Sequence, residues 1–253
     1  MDDSLGPIGD ASPGRSRLTQ RRPGPAKTSP KPNAKKEMRF DLAVIERALR
    51  AVQRDFERIN ATLETPRDPL SDRVIANLLA GYAYLDTLLA DGRHPLTLGN
   101  STDLLQLNHL VLCGTDEADI QDAAKHMAET AARFYDRSGP GGVAELMDTL
   151  AAHRDEPVWR RAARAYIQVM SQPQLFIEGN HRTGALIMSA LLAGEGKPPF
   201  VLTVSNAKAY FDPSTLAKDS RKRSLQLFWR RPKLCKRLAE LLKSEANRGF
   251  LKP

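Results

Sequence analysis

Cysteine is nearly absent: the chain of 253 residues has two, Cys113 and Cys235. They lie far apart, each in an apolar helical pattern, which excludes a disulfide framework and a cysteine-built zinc site and fits a reducing compartment. Long apolar runs are also missing. The longest fall well short of the roughly 20 residues that span a bilayer. The N-terminus, MDDSLGPIGDASPG, shows no basic stretch followed by an apolar one, so no secretory signal is expected. The cytoplasm is the expected compartment, and a tail of this kind is also compatible with export into a host cell. Aromatics make up only 6% of the chain and nowhere interleave with a basic patch, which argues against nucleic acid as the main partner. Alternating strand-like patterning is confined to 200–204, and no internal repeat is visible.

Charge is unevenly spread. Residues 1–37 carry 8 basic and 4 acidic side chains, and residues 207–253 carry 13 and 4, so the net +8 sits in the two ends and the middle is acidic, near −5. The first 37 residues are rich in Pro, Gly, Ser and basic residues without periodic apolar positions, and they read as a disordered tail. The basic ends read either as solvated faces or as surfaces for anionic partners.

From residue 38 to 253 the pattern is helical throughout. Leu42, Ile45, Leu49, Val52, Phe56, Ile59 and Leu63 recur at steps of three and four, the stripe of one long helix. Ser71 caps a second helix with Val74, Ile75, Leu78, Leu79, Tyr82, Leu85 and Leu89 inward. Further helices are expected over 102–113, 116–135, 143–152, 157–171 and 182–193, then near 206–211, 220–229 and 233–246. The fold class is all-α.

The chemistry lies in the segment Gln172-Pro173-Gln174-Leu175-Phe176-Ile177-Glu178-Gly179-Asn180-His181-Arg182-Thr183-Gly184. It is a short loop between two apolar helices. A glycine beside a helix N-terminus makes an anion site, because free N–H groups point back into the loop. Arg182 adds a forked cation suited to phosphate. Glu178 is a poor neighbour for bare phosphate but a good one for a divalent cation bridging to it. Together these residues read as a site for a nucleotide polyphosphate with Mg2+. A plain helix–loop–helix turn is the other reading of the same residues.

The segment resembles the motif of Fic-domain proteins, His-x-Phe-x-(Asp/Glu)-Gly-Asn-(Gly/Lys)-Arg-x-x-Arg. Phe176, Glu178, Gly179, Asn180 and Arg182 match. Gln174 stands for the histidine, His181 for Gly/Lys and Ala185 for the last arginine. The resemblance is strongest over 143–215 and extends over 40–245, with a core of about 102–215. It implies a Fic-type helical domain with a phosphate-binding loop between two central helices and a short β-hairpin flap near Ala132–Gly142, where Phe134 and Tyr135 either line the flap or belong to the core. It implies transfer of AMP or another phosphate-containing group from a nucleotide, ATP first, to a hydroxyl of a target protein or small molecule. Phe176 would anchor the loop, Glu178 would hold the metal, and Gly179, Asn180, His181, Arg182 and Thr183 would face the phosphates.

The catalytic position is altered. A glutamine cannot accept the proton that the family's histidine takes, and losing a positioned base forfeits about 10²–10⁴-fold in rate. Phosphoryl-type transfer relies mainly on positioning and electrostatics, so activity need not vanish. Gln174 can orient a hydroxyl or donate to phosphate. His181 either donates to phosphate, replaces the base or fills the glycine position. Two outcomes remain open: a transferase with altered chemistry, or an inactive nucleotide- or partner-binding module. The family's inhibitory glutamate has no counterpart, since Ile75 occupies its place in Ser71–Asn77.

Overall fold

The computed structural model describes residues 39–252; the tail expected over 1–37 lies outside the described residues. Eleven α-helices are present among them: α1 (Leu42–Arg54), α2 (Phe56–Asn60), α3 (Asp72–Ala90), α4 (Ser101–Cys113), α5 (Glu117–Asp122), α6 (Ala124–Tyr135), α7 (Val143–Ala152), α8 (Val158–Met170), α9 (Asn180–Gly194), α10 (Ala207–Lys218) and α11 (Leu225–Leu242), closed by a 3₁₀ turn, Glu245–Phe250. No strand occurs among the described residues, only two isolated bridges, Phe40 with Leu251 and Gln172 with Arg221. The all-α class therefore holds. At 132–142 there is the end of α6 and an irregular turn, with no hairpin.

Helices α8 and α9 form the centre. Ala162, Ala163, Ala165, Tyr166, Ile167, Val169 and Met170 of α8 are all buried, as is α9 from Thr183 to Ala193. Small residues let the two axes approach closely: a Cβ at Gly184 would lie 2.8 Å from the Tyr166 ring. Around this pair lie α3 and α4 on one side and α7, α10 and α11 on the other. Such a layered bundle buries most of the two apolar stripes read from the sequence, with Leu42, Leu63, Val74, Leu79 and Leu89 covered in part.

Some boundaries differ from the periodicity. The stripe expected as one helix breaks at Asp55, and the stretch 116–135 breaks at Ala123. Conversely, 220–229 and 233–246 merge into α11, which runs through Pro232. A proline inside a helix costs about 3 kcal/mol. Here Leu227, Leu234, Cys235, Leu238 and Leu242 form one buried stripe across it, and that burial outweighs the local penalty. Ser71 caps α3 by accepting from Val74 N–H at 3.2 Å, and Ile75 is fully buried, so this segment is an ordinary capped helix start.

The described chain closes on itself. Asp41 N–H donates to Phe250 O at 2.9 Å, and Lys252 N–H to Arg39 O at 2.9 Å. Asp86, on α3 and buried, clamps this junction: it accepts from Phe40 N–H at 2.8 Å and pairs with Arg39 at 2.9 Å.

No helix among the described residues is long and apolar enough to cross a membrane.

Candidate functional site

The loop begins where α8 stops at Ser171. Its entry is held by cations on carbonyl oxygens: Lys222 Nζ donates to Pro173 O at 2.6 Å, and Arg133 Nε to Gln174 O at 3.0 Å. Burial brings the Lys222 ammonium down to about 8. Gln172 N–H donates to Ser220 O and Gln172 O accepts from Lys222 N–H, which ties the entry to the turn before α11.

Phe176 anchors the middle. It is fully buried and stacks on Phe134 with ring centroids 5.5 Å apart and planes 15° apart. Phe134 is therefore core, whereas Tyr135 is 45% exposed.

Asn180 folds the loop around itself. Its Oδ1 accepts from Phe176 N–H at 2.9 Å, and its Nδ2 donates to Phe176 O at 2.8 Å and to Gln174 Oε1 at 3.3 Å. Gln174 in turn donates to Met170 O at 3.1 Å, an orphan carbonyl at the end of α8. The side chains of Gln174 and Asn180 thus staple the loop to itself.

Gly179 is the N-cap of α9, with φ +72°. Helix α9 starts at Asn180, two residues earlier than the sequence pattern suggests. Only a residue without Cβ fits at the cap, for a Cβ would lie 2.9 Å from Asn108 Nδ2. The N–H groups of Ile177, Glu178, Gly179, Asn180, His181 and Arg182 meet no acceptor among the described residues; Thr183 N–H is the first to be satisfied, by Gly179 O at 2.9 Å. Six consecutive amides at the positive end of a long helix are thus left without an acceptor among the described residues, the condition that an anion at such an end needs. Glu178 and Ile177 are exposed at the same turn.

The side chains that follow point elsewhere. Thr183 is fully buried, and its Oγ1 accepts from Asn108 Nδ2 at 3.0 Å; the same Nδ2 donates to Glu178 O at 2.9 Å. Arg182 donates to Val111 O and so caps the C-terminus of α4, beside Asn77 Nδ2, which donates to Leu112 O at 3.0 Å. Burial lowers the Arg182 guanidinium from its ordinary range, and the charge of Glu178 partly offsets this.

His181 sits behind the loop. Arg67 Nη1 lies 3.2 Å from its Nε2 and Tyr166 Oη 2.9 Å from its Nδ1. A guanidinium only donates, so Nε2 accepts and the proton resides on Nδ1, donated to the tyrosine. Tyr166 continues to Ser214 Oγ at 2.7 Å, and Tyr210 Oη donates to His181 O at 3.0 Å. Burial first, then the Arg67 charge, push the His181 imidazolium down to about 3. The ring is neutral with both nitrogens committed. This geometry offers neither the phosphate donor nor the replacement base considered from the sequence, because the ring is built into the α8–α10 seam.

Of the residues expected to form the site, Glu178 is exposed at the turn whose amides are left without acceptors among the described residues. Phe176, Asn180 and Thr183 hold the loop from within. Several supporting residues escaped the sequence reading, among them Arg133 and Lys222 at the loop entry. Asn108 carries a readable signal, a polar residue on an apolar face between Leu104, Leu107 and Val111. Arg67 and Ser214 carry none, since only tertiary proximity brings them to His181.

No group of three or more His, Cys, Asp or Glu capable of holding a metal ion occurs among the described residues. A magnesium ion fits such a site in one way, through the Glu178 carboxylate together with phosphate oxygens of an incoming nucleotide. Comparisons with family models, with curated proteins and with solved structures return no match.

Proposed function

We propose that the loop binds the polyphosphate of a magnesium–nucleotide, ATP first, and that the chain is a transferase of the Fic type moving AMP or another phosphate-containing group to a hydroxyl. The observation that carries this reading is the run of six free N–H donors around Gly179 with the exposed Glu178 carboxylate beside it. The amides would hold phosphate oxygens, and Glu178 would hold the metal, which supplies charge neutralisation when bound. The Asn180, Asn108 and Arg182 side chains would act by keeping the amides in place. Among the described residues, Glu178 would be taken up by the metal, the Gln174 amide is neutral and His181 is engaged elsewhere, so none of the three would be left as a base. The acceptor hydroxyl would therefore have to be activated by position and by the metal–phosphate charge alone.

That last point favours a second reading, a nucleotide-binding module without turnover. Calorimetry with Mg-ATP tests the shared premise. Binding is expected, with loss on chelation by EDTA and weakening of about tenfold or more in Glu178→Gln; no heat with Mg-ATP would end both readings. Radiolabelled ATP in a cell lysate separates them. A labelled protein supports transfer, and label appearing only with Gln174→His supports the module.

A further inference from the structure

A second cavity of about 290 Å³ lies away from the loop, between α7, α8 and the start of α11. No residue of 172–184 lines it. Its wall includes Gln168 of α8, Glu145 and Thr149 of α7, and Arg223, Ser224 and Arg231 at α11. Two of these present enclosed donors with nothing to donate to: Gln168 Nε2, on a residue 4% exposed, and Arg231 Nε have no acceptor among the described residues. Buried donors are nearly always satisfied, so two orphans on residues that line one cavity point to an acceptor that arrives from outside.

The surrounding charge defines that acceptor. Arg223 and Arg231 are both cationic. The one acid in the wall, Glu145, is already engaged, with Oε2 accepting from Gly141 N–H at 2.9 Å and Oε1 lying 3.5 Å from Arg223 Nε. The field inside therefore favours an anion. The remaining wall is apolar: Leu227 is buried, while Leu225 and Phe228 stand 78% and 69% exposed at the cavity. A bare inorganic anion would leave that surface and most of the volume unused. Pockets near 300 Å³ suit small organic molecules.

We propose that this cavity binds a small organic carboxylate with an aryl or branched-alkyl body. Its two oxygens accept from Gln168 and the arginines, and its apolar body lies against Leu225, Leu227 and Phe228. Arg223 fits the role of a placed residue. It is held at φ +60°, a conformation that L side chains adopt at a cost.

Titration of the full chain with phenylacetate, read by calorimetry, tests the proposal, with phenylacetamide and inorganic phosphate as the other arms. Saturable binding of phenylacetate alone is expected, weakened about tenfold or more in Gln168→Met and in Arg231→Met. Circular dichroism confirms that each variant is folded. Arg223→Gly guards against a folding artefact, because glycine relaxes the φ at an exposed position, and it should weaken binding as well. Absence of phenylacetate binding overturns the proposal and leaves ordered water as the partner of the orphan donors. Equal binding of the amide, equal binding of phosphate, or undiminished binding in all three variants overturns it too.

Discussion

His181 is the residue whose environment says most. Its unfolded value is near 6.5 and its folded value about 3, so on acidification the unfolded chain takes the proton first. Stability from this group is complete above pH 6.5 and falls as the pH drops towards 3. The slope is at most about 1.4 kcal/mol per pH unit. Urea denaturation at pH 7 and pH 5 should show wild type losing more stability than His181→Gln, which keeps an acceptor for Arg67 but has nothing to protonate. Equal losses in both proteins would place the acid sensitivity elsewhere. The motif position alone left this histidine as a donor to phosphate, a replacement base or a filler of the glycine position. Its actual surroundings come from Arg67, Tyr166 and Ser214, residues 114 positions upstream to 33 downstream, which no local pattern connects.

Among elements, the junction of α4 and α9 ties fold to site. Arg182 satisfies a last-turn carbonyl of α4 while α9 begins two residues before it. Arg182→Ala should therefore lower stability by about 1–2 kcal/mol, measured by urea midpoint, whether or not a nucleotide is present. A variant as stable as wild type would show that the cap contributes nothing. Glu178→Gln, at an exposed position, is accordingly the cleaner probe of ligand binding. Helix existence was legible at this scale, because apolar steps of three and four mark α1 and α3, and α9 shows as an unbroken apolar run. Helix continuity was not. Asp55 and Ala123 interrupt stripes that look unbroken, and Pro232 fails to interrupt one that looks broken, because the face that α11 buries against α8 outweighs the proline there.

For the whole molecule, the keystone is Asp86. It gathers Arg39 and Phe40 onto α3 from 46 or 47 positions away, and only 6% of its side chain is accessible. Asp86→Ala removes the acceptor of the buried Phe40 N–H and a partner of Arg39, at a cost of about 3 kcal/mol or more. A thermal melt should show a drop of roughly 6 °C or more for a domain of this size; a shift within error would mean that water replaces the carboxylate. This clamp had no sequence signal, since an aspartate near the end of an amphipathic helix reads as a solvent-facing residue. The loop amides were legible from Gly179 and the helix that follows. The second cavity was not, because its donors come from three helices with no shared motif.

The closure at residues 39–41 and 250–252 also has a mechanical meaning. Residues 39–41 and 250–252 lie side by side, joined by a pair of backbone hydrogen bonds. Tension applied at residues 39 and 252 peels these bonds one after the other rather than shearing them together. The Asp86 clamp then takes the load before any helix does. Under pulling, the molecule should first lengthen by freeing its rim, with the α8–α9 centre and the loop between them still folded.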